Sequence, residues 1–169
     1  MTLGVPAGKV ILREDHDAWA EAFARERLAL EEVLGSSIVA VEHAGSTSIP
    51  EVPAKPILDI LVGVRDFEEA RACVSPMIAV GYAYRGENGI PRRHYFVQGD
   101  PRSHHVHMLE VDSPAWAEML RFRDLLRADR DLAREYAAEK RRLAERYGND
   151  REAYQREKDK VVVRILSGR

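Results

Sequence analysis

The sequence predicts an α/β (α+β) fold: a mixed β-sheet flanked by helices, with a C-terminal helical layer. Two observations carry this. Four short stretches rich in β-branched and aromatic residues, "SIVAVEH", "PILDILVGV", "RHYFVQ" and "HHVHMLEV", read as strands and all precede residue 112. Beyond "DSP" the apolar residues recur at helical spacing to the end of the chain. A single domain over 1–169 is expected, with an α/β core at 1–112 and C-terminal helices at 113–169.

In order along the chain, "HDAWAEAFARERLALEEVLG" predicts an amphipathic helix. Trp19, Phe23, Leu30, Val33 and Leu34 share one face, Asp17 is the expected N-cap and Gly35 the expected C-terminal stop. "SIVAVEH" is a short strand, ended by "AGSTSIPEVPAKP", whose glycine and prolines bar a regular element throughout. "PILDILVGV" is apolar on both faces, as a central strand requires. Asp66 and Glu69 form an Asp version of a capping box for the next helix, which Pro76 is expected to kink or end. "YAYR" and "RHYFVQ" read as strands joined across "GENGIP", and "HHVHMLEV" follows. Ser113 caps and Pro114 opens the first of three helices, around 114–127, 130–147 and 150–167.

Composition narrows the function classes. A hydrophobic share of 45% and a charged share of 32% are those of a globular chain. No apolar run approaches the ~20 residues of a membrane helix. The single cysteine, Cys73, excludes an internal disulfide and a thiolate zinc cluster, so the cytoplasm is the expected compartment. From Arg121 onward 15 Lys or Arg face 10 Asp or Glu, although net charge is −2 overall. Acids and bases alternate there, which reads as a solvated helical surface rather than a nucleic-acid footprint.

Two constellations carry chemistry. Asp59 lies within the apolar strand, where an unpaired carboxylate must neutralise, find partners or bind a cation. Alternation puts Ile57, Asp59 and Leu61 on one face. Loop amides, Lys55 or an arginine could satisfy it structurally. The turn before it offers more: Gly45 lets backbone approach a ligand, and Ser46, Thr47 and Ser48 supply hydroxyls and amides. A helix starting near Ser46 would present free N–H groups to an anion. Lys55, between Pro53 and Pro56, is a stiffly held cation suited to phosphate. In "HHVHMLE", His105 and His107 share a face and could hold a metal or a phosphate, while Val106, Met108 and Glu110 face the other way. Their alternative is hydrogen bonding across the sheet. Arg92 and Arg93 are candidate anion clamps. His94 and His104 read as exposed or structural, and Trp19, Trp116, Tyr136, Tyr147 and Tyr154 as packing residues.

"HAGSTSIPEVPAKPILDILVGV", "HHVHMLEVDSPAW", "LRFRDLLRADRDLAREYAAEKRRLA" and "NDREAYQREK" together resemble the GrpB family, over roughly residues 10–167. That family looks like a member of the nucleotidyltransferase-fold superfamily, and some of its members are fused to dephospho-CoA kinase. The resemblance implies a nucleotidyltransferase-like sheet. It also implies a Gly-Ser turn, a strand with two carboxylates one residue apart, and a third carboxylate on a later strand. Carried over, Gly45 and Ser46 would cradle a triphosphate, and Asp59 would be the catalytic residue and first ligand of Mg2+ or Mn2+. Position 61, where the second carboxylate belongs, is Leu61. Glu110 is the nearest candidate for the third, yet either it or the two histidines face the site, unless a bulge intervenes. The expected function is a nucleotidyltransferase-like protein that binds a nucleoside triphosphate or other phosphorylated small molecule. A non-catalytic accessory module linked to coenzyme A metabolism is the alternative. More distant is a histidine-dependent metal phosphohydrolase.

Overall fold

The computed structural model describes residues 3–168. Five strands form one mixed sheet in the order β1-β2-β5-β4-β3: β1 Ala40–Ala44, β2 Leu58–Val64, β3 Ala83–Tyr84, β4 His94–Gln98 and β5 His104–Glu110. The central pair, β2 and β5, is parallel and every other pair is antiparallel. A parallel pair needs a long crossover, supplied here by the short helix α2 (Val74–Ala79) and the β3–β4 hairpin. β2 is buried nearly throughout, which explains its apolar run.

Helix α1 (His16–Leu34) and α2 cover one face of the sheet. Trp19, Leu30, Leu34, Cys73 and Met77 pack there against Val41, Ile60, Val62, Phe96, Val106 and Met108. Helix α1 starts one residue before Asp17, with Asp15 at the N-cap, and Gly35 closes it at a φ of +52°. Asp66 does cap: its Oδ1 accepts from the Glu69 amide at 2.8 Å. The turn that follows is 3-10 helical, and Pro76 sits in the first turn of α2, where its missing N–H costs nothing, rather than ending it.

The opposite face meets the C-terminal helices α3 (Pro114–Ala128), α4 (Arg130–Tyr147) and α5 (Arg151–Leu166). Ser113 caps α3 by accepting from the Trp116 amide, as expected, and Asp129 and Asp150 cap the other two. Leu61 and Leu109 pack under Trp116 and pin α3 to the sheet. Phe122, Tyr136, Leu143, Tyr154 and Ile165 form a separate core between the helices, with Ile49 and Val52 from the loop after β1. Between these two clusters the helices stand off the sheet. No helix among the described residues is long and apolar enough to cross a membrane.

Candidate functional site

The gap between sheet and helices is a cleft of about 640 Å³. Strand register builds its floor. Asp59 on β2 lies between Ala44 of β1 and His105 of β5, and Leu61 pairs with His107. His107 in turn pairs with Tyr95 of β4. Alternation therefore turns Asp59, His105, His107 and Tyr95 to the cleft, and sends Val106, Met108 and Glu110 to the other face.

The Asp59 carboxylate is 33% exposed, open to the cleft and enclosed elsewhere. His105 Nδ1 lies 3.0 Å from Asp59 Oδ1, and His107 Nε2 lies 3.5 Å from the same oxygen. Burial alone would raise this carboxyl. The hydrogen bonds from His105 and His107 outweigh it and hold the group well below the usual carboxylate range, so Asp59 is ionised at neutral pH. An ionised carboxylate only accepts, so His105 donates through Nδ1. Arg93 Nη1 lies 3.0 Å from His107 Nδ1, and a guanidinium only donates. His107 Nδ1 is therefore the bare nitrogen, and its proton sits on Nε2, facing Asp59. Burial lowers the His107 pKa, although Asp59 opposes the shift, which favours this neutral form.

Gly45 precedes a single 3-10 turn, Ser46–Ser48, at φ +63° and ψ −172°, a region essentially reserved for glycine. A Cβ at Gly45 would come within 2.9 Å of both Cβ and Cγ of Asp59, with Oδ2 nearer still. The close approach expected of a ligand is thus made by the Asp59 side chain. The expected helix at Ser46 is only this one turn, too short to act as a helix terminus. Its hydroxyls are engaged: Ser48 Oγ donates to the Gly45 carbonyl at 2.7 Å, and Thr47 Oγ1 bonds buried His43 at 2.9 Å. Ser46 Oγ lies 3.4 Å from the Tyr136 hydroxyl. Gly45, Ser46 and Thr47 line the cleft; Ser48 turns into the loop instead.

Two positions of the implied carboxylate pattern lie outside the cleft. Glu110 lies on the reverse face, where Arg92 binds it through two hydrogen bonds of 3.0 and 2.8 Å. Neither Glu110 nor Arg92 belongs to the cleft. Leu61 is fully buried beneath Trp116, so position 61 is structural support and not an altered ligand.

Lys55 and Arg93 do reach the cleft. Arg93 is buried, held by the Glu87 and Asn88 carbonyls and stacked 4.5 Å over Tyr95, with no carboxylate partner among the described residues. Lys55 lies 5.5 Å over the Tyr154 ring; its ammonium is pushed down to about 8 by burial and then by Lys158 and Arg151. Four more cations that sequence reasoning missed line the same cleft: Arg102, Lys140, Arg151 and Lys158. Lys140 carried a signal. It falls on the buried stripe of α4 with Ala133, Tyr136, Ala137 and Leu143, where a lysine has no packing reason to be. Six cations thus surround the cleft against three acids, Asp59, Glu118 and Asp159.

The donors test the expected metal. Asp59, His105 and His107 offer one oxygen and two imidazole nitrogens within 4.8 Å of one another. Mg2+ demands octahedral oxygen ligands, and this set supplies a single carboxylate. Mn2+ or another borderline ion fits the donor types better. It would still require the proton on His107 Nε2 to move to Nδ1, against the Arg93 hydrogen bond.

The class is set by the fold. The mixed sheet with its flanking helices is nucleotidyltransferase-like in fold. The structure of a cytoplasmic RNA terminal U-transferase superposes on 82% of this chain and 41% of its own, with a TM-score of 0.54 at 16% identity. The particular family is closer. Residues 9–167 match the family described as GrpB protein, and the chain belongs to it. The crystal structure of the conserved protein GrpB from Enterococcus faecalis gives a TM-score of 0.84 at 34% identity, covering 94% of this chain and 98% of that one. Protein YqkA of Bacillus subtilis is 44% identical over 93% of this chain. The chain spans 46% of that relative's length and 63% of the length of a Pseudomonas aeruginosa relative. A dephospho-CoA kinase of Mycolicibacterium paratuberculosis is 28% identical over 71% of this chain and 36% of its own length.

Proposed function

We propose that the cleft binds a nucleotide or another phosphorylated small molecule. The observation that carries this reading is the excess of six cations over three acids around a cavity of about 640 Å³, within the size range of small-molecule sites. Among the described residues, Lys55, Arg93, Lys140 and Arg151 have no carboxylate within ion-pair reach. Enclosed cations of one sign raise the local concentration of anions. Tyr95, Tyr136 and Tyr154 line the same cleft, where their rings back Arg93, Lys140 and Lys55.

Nucleotidyl transfer through two metal ions gains no support from the residues. Leu61 and Glu110 leave Asp59 as the sole carboxylate on the cleft floor, and the Arg93–His107 bond opposes an ion at Nε2. Asp59 can still accept a hydrogen bond from a ligand hydroxyl or amine, so the reading is of a nucleotidyltransferase-like fold that binds a ligand without requiring metal.

Calorimetric titration with nucleoside triphosphates, diphosphates and dephospho-CoA, with Mg2+ or with chelator, tests it. Binding in the micromolar range that survives chelation supports the reading, and dephospho-CoA serves as the arm suggested by the kinase relative. Absence of binding to every phosphorylated probe sinks it. Pyrophosphate release that vanishes in Asp59→Asn would instead establish transfer, and phosphate release lost in His105→Ala would establish hydrolysis.

A further inference from the structure

We infer that Lys55, Lys140 and Lys158 form the seat of the ligand's phosphoryl group, on the helical side of the cleft rather than at the Gly-Ser turn, so that its hydroxyl- or amine-bearing part faces Asp59. This rests on the proposed function and specifies how the ligand lies.

Lys140 is the anchor of the argument. It is 3% exposed, lines the cleft, and makes no hydrogen bond or ion pair among the described residues. Its ammonium lies 5.3 Å from the Tyr136 ring, and the face of a ring is a weak substitute for an anion. Lys55 is similarly placed over Tyr154 and lacks an anionic partner. Lys158 reaches only Asp159, at 3.9 Å. Burial, followed by repulsion from Lys158 and Lys55, drives the Lys140 pKa well below the ordinary lysine range. A chain gains no stability from gathering three ammonium groups on one wall, since each gives up part of its hydration without gaining a close anionic partner. A phosphoryl group would supply acceptors to all three.

The turn offers much less. The Ser48 and Thr47 hydroxyls are already bonded, and the space above Gly45 is filled by Asp59. Asp59 is itself anionic and repels phosphate. Its remaining capacity is for donors, such as a sugar hydroxyl or an amine. The ligand class is therefore a phosphorylated alcohol or amine, with nucleotides included.

The test combines affinity with stability, using the tightest-binding nucleotide of the titration above and inorganic pyrophosphate as probes. Lys140→Met should weaken both probes roughly ten- to a hundredfold, the worth of a charged hydrogen bond. It should also raise the melting temperature of the ligand-free protein, because it removes a buried amine that has no hydrogen-bond partner among the described residues. A residue with only a structural role would move stability down. Lys160→Met, on the exposed side of α5 beside Glu157, should leave affinity within twofold. If nucleotide binds the natural chain and Lys140→Met binds it equally well, the seat is misplaced while the broader function stands. If no probe binds the natural chain, both fall. Should Lys140→Met fail to fold, Lys55→Met serves the same comparison, and unchanged affinity there overturns the assignment.

Discussion

Gly45→Ala is the perturbation that the site geometry prices most directly. Two costs add. The φ of +63° with ψ of −172° is a region essentially closed to residues with a Cβ, worth about 1–3 kcal/mol. The new methyl would also sit inside contact distance of the Asp59 Cβ and Cγ, each 2.9 Å away, and overpacking of that kind costs about 1–3 kcal/mol. The sum is about 2–6 kcal/mol. Gly86 provides a comparison, since it shares the φ of +63° but has no atom within 4 Å of an added Cβ. Gly86→Ala should cost only about 1–2 kcal/mol. Urea unfolding of both variants, and of each glycine change combined with Asp59→Ala, isolates the contact. Because Asp59→Ala removes Cγ and Oδ2 from the crowded spot but keeps Cβ, Gly45→Ala should cost about 1 kcal/mol less in that background, whereas Gly86→Ala should cost the same in both. Equal costs for the two glycines, or a Gly45 cost indifferent to Asp59, would refute the claim that this glycine exists to seat the acid.

Three further predictions bear on the site. Leu61→Asp, which restores the second carboxylate of the superfamily pattern, should confer no transfer activity and should destabilise by more than about 3 kcal/mol, because the charge would be buried against Leu109 and Trp116; pyrophosphate release and urea unfolding check both halves. Lys55 makes stability rise with pH: its folded pKa, about 8, lies below its ordinary 10.5, so between these values the unfolded chain binds more protons, and raising the pH relieves the folded state. The full effect is at most ~3 kcal/mol, and Lys55→Met should flatten the rise between pH 8 and 10 in urea midpoints. Arg93→Met should strengthen Zn2+ or Mn2+ binding, since it frees His107 Nδ1 to carry the proton that now occupies Nε2; metal titration showing weaker or unchanged affinity would contradict the tautomer assignment.

Strands and helices were legible where pattern alone decides them. The apolar run around Asp59 announced a central strand, and "DSP" announced the cap and first turn of α3. Alternation placed His105 and His107 together, and the structure adds that both meet Asp59 through the parallel β2–β5 register, which no local pattern encodes. That register also decided between Glu110 and the histidines. The role of Gly45 was read as room for a ligand because a sequence shows the missing Cβ and not what fills its place. Three of the four missed cations, Lys140, Arg151 and Lys158, stayed hidden because they lie on α4 and α5, far along the chain, and a basic helix ordinarily reads as solvated. Only Lys140, on an apolar stripe, departed from that expectation.

The most direct test is to locate phosphate in a crystal of the full chain grown with inorganic pyrophosphate. The account predicts density bridging Lys55, Lys140 and Lys158, with Asp59 still bonded to His105. Pyrophosphate seated instead on the Ser46–Ser48 turn, or found only outside the cleft, would contradict it.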